Sequence, residues 1–178
     1  METFTKVKGF ENNPHYYRQR LKTLKSLDLS SIDKPVAEII DGFLKLPYCF
    51  TLQSCYGHFL YEGQKNPHNI EPLPKSNNIK TIEYRIAYTA LCIQNSELGR
   101  ILFKELAIVP EIDSEYVQFG CAEWFWERYL NSFVLQVEPE RYFTKDEAFI
   151  EYEEALYIEN IRNRFFKKLK DIITWISF

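Results

Sequence analysis

A chain of 178 residues with 46% apolar and 16% aromatic residues and a net charge of −3 has the material for one sizeable core, and no whole-molecule field draws it to a phosphate backbone. With 6 Gly set against 12 Tyr and 14 Phe, it is neither a low-complexity chain nor a DNA-coating protein. The opening METFTKVKGFENNPHYY has no apolar run of signal-peptide length, and no window approaches the roughly 18 apolar residues of a membrane helix. A single cytoplasmic domain over residues 1–178, away from membranes, is therefore expected.

Asn13-Pro14 forms an N-cap and first-turn pair, and Tyr17, Leu21, Leu24 and Leu27 follow at helical spacing, so a helix is predicted over residues 14–27. Asp33 with Pro35 starts a second helix whose Val36, Ile39, Ile40, Phe43 and Leu44 share a stripe until Pro47 stops it. Together they predict a helical hairpin. YCFTLQSCYGHFLY then reads as a strand, a turn with Gly57 at its bend, and a short second strand.

Residues 62–80 hold three prolines and four asparagines without periodicity, the mark of a long loop that is functional or mobile. TIEYRIAYTALCI alternates at its start and predicts one long strand entering the sheet interior, with Arg85 and Thr89 on its polar side. Asn95 or Ser96 caps a helix ended by Pro110, and EYVQFGC returns as a strand, completing a β-helix-β unit.

AEWFWERYLN reads equally as helical turn or strand extension, and its Trp124, Phe125, Trp126 and Tyr129 as aromatic core or as a pocket wall. SFVLQVEP is a strand ending at Pro139. Thr144-Lys145-Asp146-Glu147 has the form of a capping box, and Ile158, Ile161, Phe165, Leu169, Ile172 and Ile176 then recur at helical steps, predicting a terminal helix of about thirty residues. Its acidic start and basic end, Arg162, Arg164, Lys167, Lys168 and Lys170, suit the helix dipole and read as a solvated face. The expected architecture is α+β, with a mixed or antiparallel sheet of about four to five strands, the N-terminal helical hairpin and the long C-terminal helix packed on it.

No disulfide framework is expected, because Cys49, Cys55, Cys92 and Cys121 are irregularly spaced; Cys92 and Cys121 read as buried apolar residues. Chemistry points instead to TLQSCYGHF, where Cys55 and His58 stand three apart across Gly57 and a bend there would bring thiol and imidazole together as catalytic candidates. Gln53, Ser54, Arg85 and His68 are the accompanying ligand-binding candidates, with Glu83 or Glu138 as the internal anion that would otherwise neutralise Arg85. His58, His68 and Cys55, with Glu62 or Glu71, are metal-ligating residue types, but no H-x-x-x-H or H-E-x-x-H spacing occurs and no metal is assigned. No phosphate loop, nucleophile elbow or dinucleotide fingerprint occurs either, so no cofactor follows from a motif.

The passage IIDGFLKLPYCFTLQSCYGHF resembles the opening motif of the wybutosine-synthesis methyltransferase family, which acts on tRNA-phenylalanine and carries a Ser-Ser-Cys-x-Gly-Arg element after a similar helix. Gln53-Ser54-Cys55-Tyr56-Gly57-His58 stands in that place, with Gln53 for the first Ser and His58 for the Arg. The resemblance implies a surface for S-adenosylmethionine and a tRNA base near Ser54, Cys55 and His58. The family's later Gly-Phe-Arg-x-Ser-Gly element has no counterpart. The functional expectation is thus a small-ligand site around the SCYGH turn, with a non-enzymatic interaction module, open to self-association, or a tRNA-modifying protein as alternatives. RNA is the lesser of the partners considered.

Overall fold

A computed structural model describes residues 4–76, 78–142 and 147–176. In chain order the elements are β1 (Phe4–Thr5), α1 (Tyr16–Ser26), α2 (Lys34–Leu44), β2 (Cys49–Cys55), β3 (His58–Leu60), β4 (Thr81–Arg85), β5 (Ala87–Ile93) and α3 (Glu97–Ala107). After them come β6 (Val117–Ala122), α4 (Glu123–Trp126), β7 (Ser132–Val137), β8 (Glu147–Glu151) and α5 (Tyr152–Ile176). The fold is α+β, as expected. Among the described residues, five strands make one sheet in the order β1-β6-β7-β5-β2, three make a second in the order β3-β4-β8, and every ladder is antiparallel. The β5-α3-β6 unit is present, with β7 paired between its two strands.

The two sheets are joined by one bent ribbon. β2 pairs with β5 up to Cys55↔Tyr88, and β3 pairs with β4 from His58↔Arg85 in the same register, so two chains run side by side from one sheet into the other. The predicted single strand over residues 81–93 is therefore divided at Ile86, and Gly57 marks a bend in the partner chain rather than a hairpin turn between β2 and β3. Gly57 has φ +88, and a Cβ there would stand 2.8 Å from that of Ala87, so only glycine fits the crossing.

Ladder bonds lost at the bend are replaced by side chains. Asp33 Oδ2 accepts from the Tyr56 amide at 3.1 Å, Cys55 Sγ from the Gly57 amide at 3.5 Å, and Tyr84 Oη from the Ala87 amide at 3.0 Å. Arg162 Nη1 donates to the Gly57 carbonyl at 3.0 Å. Buried backbone groups must find partners, and these four side chains come from α5, β2, β4 and the start of α2.

α5 covers the seam between the sheets with Ile158, Ile161, Phe165 and Leu169, all fully buried. It is 25 residues long and shorter than predicted, because Glu147–Glu151 is a strand: Ala148 and Ile150 are buried while Glu147, Phe149 and Glu151 face out, a two-residue period. Thr144, Lys145 and Asp146 of the supposed capping box lie outside the described residues.

Helix α1 presents a different face from the one predicted. Tyr17 and Leu21 are exposed, whereas Tyr16 is buried against Phe50 and donates to the Pro47 carbonyl. One turn on, Arg20 donates to the Leu44 carbonyl at 2.7 Å, satisfying the end of α2. His15 rather than Asn13 is the N-cap; Asn13 Oδ1 accepts the His15 amide. The aromatic run after β6 is divided: Trp126 and Phe125 are buried, Tyr129 is half-buried against Phe50, and Trp124 is exposed. No helix among the described residues is long and apolar enough to cross a membrane.

Candidate functional site

Cys55 is the last residue of β2, His58 the first of β3, and the bend between them brings both toward Asp33 at the head of α2. One donor atom from each of the three lies within 4.8 Å of the other two. His58 Nε2 is 3.1 Å from Asp33 Oδ2, and its Nδ1 is 3.0 Å from the Asn69 carbonyl. Both ring nitrogens thus meet acceptors that have no proton to give, which makes His58 a doubly protonated imidazolium. The hydrogen bond with Asp33, then that with Cys55, overcomes the opposing effect of burial and pushes its pKa up to about 10, with the Asn69 carbonyl acting in the same sense.

Partial burial draws the Asp33 carboxyl toward its neutral form, but its hydrogen bonds from His58 and the Tyr56 amide, with the charges of His58 and His68, hold the pKa below the usual carboxylate range. Pro35 explains why Asp33 is free for this role. A capping side chain accepts from the amide at the second or third helical position. Here the second position is Pro35, which has no N–H, and the Val36 amide goes to the Asp33 carbonyl at 2.8 Å. The carboxylate makes no cap hydrogen bond and turns to the bend instead.

All four cysteines are free. Cys49, Cys92 and Cys121 are buried, and burial raises the pKa of each, to about 12 for Cys92. Cys92 and Cys121 are the buried apolar residues expected, whereas Cys55 is the one thiol with partial solvent access. A buried neutral thiol is chemically quiet, and chemistry at sulfur first requires access.

None of the other predicted residues supplies a donor atom to the cluster of Asp33, Cys55 and His58. Gln53 and Ser54 line a groove of about 310 Å³ between β2 and the α1–α2 connection, bounded also by Ile32 and Ser31. Ile32 and Ser54 are chain neighbours of Asp33 and Cys55. Ser54 Oγ is 2.9 Å from Thr89 Oγ1 across the ladder. Arg85 was expected on an interior strand, but it lies in the small sheet with its side chain 43% exposed and its Nε 2.9 Å from Glu83 Oε1. It is the ladder partner of His58, yet Glu83 takes its charge. His68 is exposed, with its ring 6.4 Å from that of His58. Among the described residues, neither Glu62 nor Glu71 joins the cluster.

The 62–80 segment is tied down at its middle and far end. Besides Asn69 on His58, the Leu73 amide donates to Glu159 at 2.9 Å, and Tyr152 Oη both donates to the Pro74 carbonyl and accepts from the Ser76 amide. Sequence reasoning missed Asp33, which read as a helix start, and Arg162, which read as part of a solvated face. Arg162 is 2% exposed, and its guanidinium carbon is 4.1 Å from the centre of the Tyr56 ring. The available signal for Arg162 was its place in the apolar stripe, next to Ile161 and one turn before Phe165 and Phe166.

No protein-family model matches the chain, and no curated protein matches it. A solved structure described as that of PH1069 protein from Pyrococcus horikoshii OT3 is similar in fold, with a TM-score of 0.52, 14% identity and coverage of 93% of this chain and 95% of that one. A second structure of PH1069 protein from Pyrococcus horikoshii gives a TM-score of 0.48 at 14% identity over 92% and 93% of the two chains.

Proposed function

We propose that the protein binds a small ligand at the bend, with Cys55 and His58 as the chemical centre, Asp33 as their anchor, and the Gln53/Ser54 groove as the adjoining wall. The observation that carries this reading is the convergence of a partly exposed thiol, an imidazolium and a carboxylate within 4.8 Å of one another, with Ile32 and Ser54, the chain neighbours of Asp33 and Cys55, lining a groove of about 310 Å³. Pockets that take small molecules begin at about 300 Å³ and combine apolar walls with a few placed polar groups. The four unpaired thiols favour a reducing, cytoplasmic setting for it.

The class of ligand is suggested by the motif. Ser54-Cys55-Tyr56-Gly57-His58, which resembles the wybutosine-synthesis methyltransferase element, is itself the segment that builds the bend. That coincidence favours S-adenosylmethionine and a tRNA base as the ligands to try first, ahead of a purely structural interaction module. Thermal-shift and calorimetric titration of the protein with S-adenosylmethionine is the test. Binding is expected in the parent protein and is lost in His58→Ala and Cys55→Ser variants whose circular dichroism is unchanged. Equal binding by the variants would place the ligand elsewhere, and no binding by the parent, together with no salt-dependent affinity for tRNA, would remove the methyltransferase-like reading.

A further inference from the structure

We propose that Asp33, Cys55 and His58 together hold one divalent transition-metal cation of the zinc type. The inference rests on the ligand-site reading for its location alone; its chemistry comes from the donor set. One carboxylate oxygen, one sulfur and one imidazole nitrogen converge within 4.8 Å, and that mixture selects zinc or cobalt over magnesium or calcium, which take oxygen ligands.

Two features go beyond the presence of three donors. His58 Nδ1 is held at 3.0 Å by the Asn69 carbonyl, which fixes the ring and aims Nε2 at the other two donors, as an outer-shell partner does for a metal-bound histidine. Asp33 is likewise oriented by the Tyr56 amide at 3.1 Å. The present Nε2 to Oδ2 separation of 3.1 Å is only slightly tighter than two ligands about 2.0–2.1 Å from one tetrahedral ion require, roughly 3.3–3.4 Å. A small side-chain rotation opens the site.

Charge also balances. On binding, the proton that Nε2 shares with Asp33 and the thiol proton of Cys55 leave to solvent, so a dication meets one carboxylate, one thiolate and a neutral imidazole, and the partly buried centre becomes neutral. Three protein ligands leave a fourth position open to water or to a ligand, the pattern of a working rather than a purely structural zinc site.

Cobalt titration of reduced, chelator-stripped full-length protein tests this. One equivalent of Co²⁺ is expected to give a thiolate-to-cobalt charge-transfer band with intense tetrahedral d–d absorption, displaced by Zn²⁺ and not elicited by Mg²⁺. Cys55→Ser should abolish the charge-transfer band, and Asp33→Asn should weaken binding at least about tenfold, both in variants confirmed as folded by circular dichroism. A folded parent protein with no such band, or a band that survives Cys55→Ser, would overturn the proposal. Repeating the S-adenosylmethionine titration in chelator separates the two readings: organic-ligand binding without the cobalt band rejects the cation alone, and the band without organic-ligand binding rejects the small-ligand reading alone.

Discussion

Helices α2 and α3 each begin on a residue suited to capping, and they use it differently. Ser96 accepts the Gly99 amide at 3.2 Å and serves its own helix. Asp33 makes no cap hydrogen bond; its carboxylate reaches the Tyr56 amide and His58 across more than twenty residues of chain. What separates them is the third-position amide, which Gly99 gives to the Ser96 hydroxyl in α3 and Val36 gives to the Asp33 carbonyl in α2, while the second position of α2 is Pro35 and has no N–H to offer. A proline there removes one of the donors that would have kept the carboxylate at home. A cap residue left idle by a proline is thus a local sign that its side chain serves another part of the fold.

The largest effect is expected where the bend itself is removed. Gly57→Ala must carry a positive φ and place a methyl group 2.8 Å from the Ala87 Cβ and 3.0 Å from the Ala87 nitrogen. Left-handed strain and overpacking together should cost about 2–4 kcal/mol. Gly63 provides the control, since it has φ +90 with nothing within 4 Å, so Gly63→Ala should cost only about 1 kcal/mol. Urea denaturation of both variants checks the pair; equal losses would mean that the crossing has room to adjust.

Next come the two caps. Asp33→Ala leaves the Tyr56 amide without its acceptor and His58 without its counter-ion, at a cost of about 1.5–3 kcal/mol for losing hydrogen bonds to a charged group. Ser96→Ala loses one neutral cap bond and should cost about 1 kcal/mol. The decisive readout is spatial. Asp33→Ala should raise the alkylation rate of Cys55 and hydrogen exchange around Tyr56 and Asn69, whereas Ser96→Ala should raise exchange only in the first turn of α3. If Asp33→Ala instead frayed α2 and left Cys55 unchanged, its carboxylate would be an ordinary cap after all.

How much of this could be read in advance follows the same division between local and distant partners. Ser96, the β7 strand and the stripe of α5 are governed by neighbours three or four residues away or by alternation, and the sequence pattern carries them. Cys55 and His58 were legible as a pair because Gly57 stands between them. Asp33, Arg162 and Asn69 were not, since each meets the bend from a segment remote in sequence, and no local spacing encodes that meeting. Strand β8 was missed for a different reason: its alternation spans five residues and adjoins a far stronger helical pattern. Tyr16 and Arg20 in α1 were hidden by Tyr17 and Leu21, which keep helical spacing on a face that stays exposed.

The smallest effect separates nearness from participation. Arg85 is directly opposite His58 in the β3–β4 ladder, so a reading based on proximity alone would count it as part of the site. Its guanidinium is bound instead to Glu83, two residues back on the same strand, and its side chain is 43% exposed. Exposed pairs of this kind contribute little, because solvent screens the charges and two long side chains must be ordered to bring them together. Arg85→Ala should therefore change stability by no more than about 0.5 kcal/mol, with Cys55 alkylation and S-adenosylmethionine affinity unaltered. A loss of ligand affinity without loss of stability would make Arg85 a ligand contact and extend the proposed site from the bend onto β4.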